Sequence, residues 1–291
     1  MTFFLILKMM KNLFILLITA LTLGSCSSSG QKIDVRWATF NIRYDNPSDA
    51  PNDWQSRKDR VAQYILDEQI DIVGMQEVLH NQFLDLQAAL PGYAGVGVGR
   101  DDGKTAGEYA PLFFREDKYE VLDSNTFWLA ENPDSVGMMG WDAVCTRIAT
   151  WAKLKDKASG KVFMAVNTHF DHVGTEARRQ SALLIIRKIK EIVGDRPAVL
   201  TGDFNVTDES DAYRTITTNE FVLLDAHKVA QKVEGIGYTF HDFDRYPMEK
   251  RTKIDFVFVT PTIAVKHSEI PAEVPEALLS DHNPQVVQLE F

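Results

Sequence analysis

The sequence predicts a layered α/β domain, and three observations carry that expectation. Short apolar runs alternate with longer stretches of helical period, two strand-like runs follow one another with no helix between them, and no change of composition divides Ile33 from Phe291. Alternating strands and helices favour layers of both over a sandwich of strands alone. Successive strands without a crossover helix pair antiparallel, so the sheets are expected to be mixed.

The chain opens on a leader, residues 1–25, that lies outside the fold. Lys8 and Lys11 form a basic region, Leu13–Leu23 an apolar stretch, and Leu23-Gly24-Ser25-Cys26 follows. The apolar stretch falls short of the roughly 20 residues a spanning helix needs and matches a signal peptide. The doublet Met9-Met10 offers an alternative start. Small residues before a cysteine resemble a bacterial lipoprotein box, cleaved before a Cys26 that then carries lipid. Residues 26–32, beginning Cys26-Ser27-Ser28-Ser29-Gly30, read as the lipidated cysteine and a polar tether. An ordinary secretory signal is the alternative.

Residues 33–291 read as one domain. Val35–Phe40, Ile70–Met75, Pro111–Arg115, Ile148–Leu154, Val162–Asn167, Ala198–Leu200 and Ile254–Val259 are strand-like. Helical patterns occupy Gln55–Asp67, Gln82–Leu90 and Thr175–Ile192; the last turns Ala177, Leu184, Ile185, Ile189 and Ile192 towards one face. Tyr119–Leu129 runs on to Cys145–Leu154 without a helix, and an apolar strand closes the chain. The long connections Arg43–Ser56, Gly99–Ala110, Glu131–Val144 and Val233–Arg251 are where functional residues are expected.

Composition excludes several classes. With 45% hydrophobic and 25% charged residues, the chain is neither disordered nor a multi-span membrane protein. Its net charge of −10 rules out holding polyanions by bulk charge, since affinity for a phosphate backbone comes from Lys and Arg. The 2 cysteines exclude a disulfide framework; with Cys26 lipidated, Cys145 is expected to be a buried packing residue. Two apparent motifs fail on inspection. Gly97–Thr105 resembles a nucleotide loop, but Val98 and Asp102 stand where glycines are required. His169-Phe170-Asp171-His172 resembles half of a dizinc motif, but Asn167 replaces its first histidine. A dizinc hydrolase is kept as a minor alternative.

Polar residues recur at the ends of apolar runs: Asn41, Glu77, His169, Asp203 with Asn205, Asp255, and Asp281-His282. Strand ends facing one way are where α/β folds collect ligand sites. Singly, each is an ordinary cap or turn. The ordered set is different. Thr39-Phe40-Asn41-Ile42-Arg43, Gln76-Glu77, Asn167-Thr168-His169, Gly202-Asp203-Phe204-Asn205, Lys253-Ile254-Asp255 and Ser280-Asp281-His282-Asn283-Pro284 together resemble the endonuclease/exonuclease/phosphatase superfamily.

The resemblance implies a four-layer α/β sandwich, two packed mixed β-sheets flanked by helices, with a divalent-metal phosphoesterase site at one edge. Glu77, with Asn41 and Asp281, would hold Mg²⁺ or Mn²⁺, ions suited to hard oxygen donors. Asp203 would orient or deprotonate the attacking water, with Asn205 positioning it. His282, braced by Asp255, and His169 would face the phosphate, with Arg147 as a guanidinium clamp. Glu108 or Tyr109 would brace His169. Arg43 stands where some apurinic endonucleases carry an acidic residue, which favours one ion, and Asp171 and His172 are additions that could shape substrate choice.

The ester itself stays open: nucleic acid, a phospholipid head group, a sugar phosphate or an inositol phosphate. Trp54, Trp128, Trp141 and Tyr246 would serve base stacking if they line the rim, and Arg245, Lys250, Arg251 and Lys253 could form a basic loop. The expectation is a monomeric metal-dependent phosphoesterase, acting on a diester or monoester, anchored in the cell envelope at the outer membrane. A nuclease and a non-catalytic binding lipoprotein are the alternatives.

Overall fold

Alternation along the strands builds the layers. In a computed structural model, which describes residues 32–291 apart from 219, 220, 222, 273, 275 and 276, the domain spans Ile33–Phe291. The leader, Cys26 and the tether as far as residue 31 lie outside the described residues. The elements run β1 (Asp34–Asn41), α1 (Trp54–Asp67), β2 (Ile72–Gln76), α2 (His80–Ala89), β3 (Tyr93–Val96), β4 (Leu112–Arg115), β5 (Tyr119–Trp128), β6 (Ile148–Asp156) and β7 (Val162–His169). They continue with α3 (Thr175–Val193), β8 (Ala198–Asp203), α4 (Asp211–Thr218), β9 (Leu224–Asp225), α5 (Ala226–Val229), β10 (Lys232–Gly235), β11 (Asp255–Val259), β12 (Ala264–Ile270) and β13 (Gln285–Glu290).

The strands form two sheets, ordered β10-β12-β13-β1-β2-β4-β3 and β5-β6-β7-β8-β11-β9. Both are mixed: β1–β2, β10–β12 and β7–β8 are parallel, and β5–β6 is antiparallel. Trp37, Ile72 and Leu112 of the first sheet pack against Phe163, Ala165, Val199 and Val257 of the second. On the outer faces, Ala38, Phe40, Val73 and Met75 lie against Val61, Ile65 and Leu86 of α1 and α2. Met164, Val166, Leu200 and Phe258 likewise meet Ala182, Ile185 and Ile189 of α3. The result is the four-layer α/β sandwich, with the central strands of both sheets buried on both faces, which is why those strands read as continuous apolar runs. No helix among the described residues is long and apolar enough to cross a membrane.

The same period of two places the polar residues. Residues 35, 37, 39 and 41 of β1 face the second sheet, and 163, 165 and 167 of β7 and 199, 201 and 203 of β8 face the first. Near the C-terminal ends of β1, β2, β7 and β8 this inner face changes from apolar to polar. Gln76 Nε2 donates to Asn167 Oδ1 (2.6 Å) and Thr39 Oγ1 (3.1 Å), and Thr201 Oγ1 donates to Asn167 Oδ1 (3.1 Å). Gly74 is required beneath this layer, because a Cβ there would collide with Thr201 Oγ1 and the Asn167 amide. Above the layer lies the cleft.

Candidate active site

Strand register brings the predicted residues together. Asn41 ends β1 and Asp203 ends β8, while Asp255 opens the antiparallel β11 directly opposite Asp203. Pairing of Thr39 with Gln285 carries the preceding Asp281-His282 turn to the same end. Glu77 and Asn205 turn inward just past β2 and β8 with left-handed backbone, φ 61° and 50°. With Arg147 and His169, these residues define a cleft of about 440 Å³, whose wall includes all the predicted site residues of the domain except Asn41 and Asp255. Those two sit directly behind it. A larger hollow of about 610 Å³, between α3 and Trp141, contains none of the predicted chemistry.

Asn41 is the junction of the site. Its Nδ2 donates to Glu77 Oε1 and to Asp203 Oδ2, both at 3.0 Å. His282 Nδ1 is 2.8 Å from Asp255 Oδ2, and its Nε2 is 3.8 Å from Asp203 Oδ2. His169 Nε2 accepts from Asn205 Nδ2 at 3.1 Å and lies 3.5 Å from Asp203. Asn205 in turn donates its backbone N–H to Asp203 Oδ1 at 2.9 Å.

Burial and like charge set the protonation of the group. Burial, reinforced by the Asp255 charge, lifts Asp203 to about 7, a value suited to a base near neutrality. Asp281 is raised to about 6 by burial and by Glu77. Burial alone would lower His282, but Asp255 and then Asp203 and Asp281 outweigh it and hold the imidazolium up to about 10. His169 goes the other way, well below its ordinary value, through burial and the nearby Arg147 and Arg100. One histidine is therefore charged and the other neutral.

The carboxylates that burial and mutual repulsion push upward are short of positive charge, which fits a divalent cation. Glu77 and Asp281 present hard carboxylate oxygens to such an ion, while Asn41 turns its amide nitrogen to Glu77 and Asp203 and its Oδ1 accepts the Arg43 N–H at 3.0 Å. Asp203, Asp255 and His282 also lie within 4.8 Å of one another, although the His282–Asp255 pair is already spent on itself. Arg43 contributes positive charge of its own: its Nη1 is 3.8 Å from both Glu77 and Asp281, and its Nε is held by Asp49 at 2.8 Å.

Arg147 is buried, and its Nε and Nη1 have no hydrogen-bond partner among the described residues. Its nearest acids, Glu108 and Asp171, stand off at 3.9 and 4.0 Å. Glu108 lies 3.8 Å from His169 Nδ1, whereas Tyr109 turns to His80 at 2.9 Å, so of the two proposed braces only Glu108 is near.

Other expectations change. Cys145 is half-buried in the cleft wall rather than packed in the core. Trp54 and Trp128 are buried and donate to Asp85 and to the Arg100 carbonyl, so neither is available for stacking. Arg245 and Arg251 pair with Asp242 and Asp244 and the Lys253 Nζ is buried, which dissolves the basic loop. The dizinc donor set is not built: Asn167 is buried between the sheets, donating to the carbonyls of Met75 and Pro111. Phe240, whose ring centre is 4.9 Å from that of His282, and Arg100 also line the cleft. Their proximity arises from long loops and has no local sequence signal.

The family match decides the assignment: residues 38–282, from β1 to the catalytic-end turn, match the Endonuclease/Exonuclease/phosphatase family. The chain belongs to this family. Enzymes of the endonuclease/exonuclease/phosphatase family are hydrolases of phosphate esters and generally depend on a divalent metal. A crystal structure of a family member from Bacteroides vulgatus is 79% identical, with a TM-score of 0.88, covering 88% of this chain and 98% of that one. The mannosyl-6-phosphatase of Bacteroides thetaiotaomicron is 38% identical, with a TM-score of 0.82, covering 88% of this chain and 100% of its own. Nocturnin of Drosophila melanogaster is 27% identical over 174 residues, 56% of this chain but only 26% of nocturnin. The stretch shared with nocturnin is thus about a quarter of that relative.

Proposed function

We propose that the protein is a divalent-metal-dependent phosphomonoesterase that releases phosphate from a small phosphorylated sugar. The observation that carries this reading is the buried Arg147 guanidinium on the cleft wall, its Nε and Nη1 without hydrogen-bond partners among the described residues. It shapes a pocket for a compact anion rather than an open groove for a polymer. The net charge of −10 and the paired arginines of the 242–251 loop leave little to track a polynucleotide. The likeness to a mannosyl-6-phosphatase over that protein's whole length supports the same substrate class.

The chain's own residues divide the chemistry. Asp203, poised near neutrality and fixed by Asn41 and Asn205, takes the proton of the attacking water. His282, kept charged by Asp255, and Arg147 face the phosphoryl oxygens as negative charge develops. Neutral His169, held by Asn205, lines the same wall. A divalent cation held by Glu77 and Asp281, with Asn41 fixing Glu77 from behind, would supply Lewis-acid polarisation of a phosphoryl oxygen.

Export and a lipid anchor at Cys26 belong to the same proposal, supported by the Leu23–Cys26 box, and place the enzyme among extracytoplasmic esters. The test uses soluble chain starting at Ser27, with Mg²⁺, offered mannose 6-phosphate in one assay and single-stranded RNA and duplex DNA in another. Phosphate release that disappears in Asp203→Ala, with both polymers intact, is the expected result. Polymer cleavage without phosphate release assigns a nuclease, and a folded chain inactive on every ester is a binding protein.

A further inference from the structure

The segment His169-Phe170-Asp171-His172 contains two polar side chains that the chemistry above does not use. Asp171 is buried, and its carboxylate accepts four backbone N–H groups. Oδ1 takes those of Val173 (2.9 Å) and Gly174 (2.7 Å), and Oδ2 takes those of Val144 (3.0 Å) and Cys145 (3.1 Å). A carboxylate filled in this way has its lone pairs occupied. Although Cys145, Asp171 and His172 lie within 4.8 Å of one another, Asp171 is a staple rather than a metal ligand. It ties the turn after β7 to the strand entry that carries Arg147. Arg178 secures the turn from the other side by donating to the Asp171 carbonyl at 3.0 Å.

The staple presents His172. Its ring lies on the cleft wall beside Arg147, with Nδ1 3.3 Å from Arg147 Nη2. A guanidinium can only donate, so Nδ1 is the acceptor and the proton of the neutral ring sits on Nε2. The Nε2–H is a donor turned away from Arg147, on a side chain that is otherwise exposed. A donor held at this fixed offset from a phosphate clamp has the chemistry to meet an oxygen of the group that the phosphate leaves behind.

We propose that His172 is the leaving-group reader of the site, its Nε2–H donating to a hydroxyl oxygen of a polyhydroxylated ester while Arg147 engages the phosphate. The substrate class narrows to phosphate monoesters of sugars or other polyols, over aryl phosphates that offer no such hydroxyl. The inference rests on the phosphatase reading. A donor that meets a substrate hydroxyl favours that substrate over an analogue that offers none, and on the exposed His172 ring, which water can reach, the preference is modest.

The experiment compares kcat and KM for mannose 6-phosphate and p-nitrophenyl phosphate in the Mg²⁺-supplied soluble chain and in His172→Ala and His172→Gln. The expected result is that His172→Ala lowers the ratio of kcat/KM for the sugar ester over the aryl ester by about tenfold, largely through KM. His172→Gln, which retains a donor, recovers most of the ratio. A ratio within about twofold of the parent overturns the inference: if both activities fall together His172 merely holds Arg147, and if neither falls it is a surface residue. A parent chain that hydrolyses neither ester brings down the phosphatase reading, and this inference with it, before any variant is compared.

Discussion

His282 Nδ1 lies 2.8 Å from Asp255 Oδ2, and both side chains are buried. The pair joins two elements far apart in sequence, because Asp255 opens β11 while His282 precedes β13. Burial works against a charged imidazole, and the Asp255 carboxylate reverses that effect. Replacing Asp255 by Ala removes both the charge and the orientation of the ring. Phosphate release is expected to fall by roughly 10²–10⁴ in kcat, the range typical of a positioned proton-transfer or charge-bearing group. Asp255→Asn, which keeps an acceptor without the charge, should fall between. Steady-state kinetics alongside circular dichroism would decide, and an Ala variant within threefold of the parent would leave His282 without its assigned role.

Arg43 stands 3.8 Å from both Glu77 and Asp281, with its other side fixed by Asp49. Burial disfavours the guanidinium, but the hydrogen bond to Asp49 and the charges of Asp281 and Glu77 raise its pKa further. A cation bound by Glu77 and Asp281 must share their field with it. At about 4 Å and an effective dielectric of about 20, unit charges interact by about 4 kcal/mol. Arg43→Gln is therefore expected to bind Mn²⁺ at least about tenfold more tightly in calorimetric titration, with the parent binding a single ion. Weaker binding in the variant would mean that Arg43 acts by holding the two carboxylates in place.

The buried strands were legible because burial on both faces leaves apolar runs, and the site was legible because polar residues interrupt those runs at one end. β12 was not, since His267, Ser268 and Glu269 stand in it and a bulge between Val265 and His267 breaks its alternation. β10 carries no apolar run, and all its residues are exposed. Asn167 reads in sequence as a missing metal ligand, yet it is the amide that bridges the two sheets, a role visible only once Gln76, Met75 and Pro111 surround it. Arg100 and Phe240 reach the cleft through long connections, where no local periodicity records which way a side chain turns. Trp54 reads as a rim aromatic because it lies in a long connection, but it begins α1 and packs beneath it.

Lys253 contributes to stability in an unusual direction. Its Nζ is buried 3.5 Å from the centre of the Phe256 ring, with no hydrogen-bond partner among the described residues. Burial lowers its pKa to about 8 in spite of Asp225, Asp255 and Asp208. Between that value and the ordinary lysine value the unfolded chain binds the extra proton, so stability rises with pH across this window. Below it, the folded state bears the full cost of the buried charge. Lys253→Met is expected to be more stable than the parent at pH 7 by about 1–3 kcal/mol, taking about 1.4 kcal/mol for each pKa unit. The gain should shrink as the pH climbs to 10. Urea denaturation at the two pH values measures it, and an unchanged midpoint at pH 7 would show that the ring and the nearby carboxylates compensate the ammonium.

The direction of β1 bears on which esters the enzyme would reach under the lipid anchor proposed above. Ile33, whose N–H meets the Phe291 carbonyl, lies at the start of β1, whereas Asn41 at its end belongs to the cleft. The 8 residues of the strand separate the two points by about 26 Å at roughly 3.3 Å each. Residues 26–32 could extend no more than about 25 Å, while a domain of this size measures on the order of 45 Å across. Under the lipid anchor proposed above, a tether of that reach is shorter than the domain is wide. Vesicle-anchored enzyme is accordingly expected to match free enzyme on soluble mannose 6-phosphate and to release no phosphate from phosphatidic acid in the same vesicle. A Gly/Ser insertion of about 40 residues after Ser29, long enough to pass round the domain, separates reach from chemistry. Phosphatidic acid hydrolysed only by the long-tethered form would confirm the geometric limit, and hydrolysis on the natural tether would refute it.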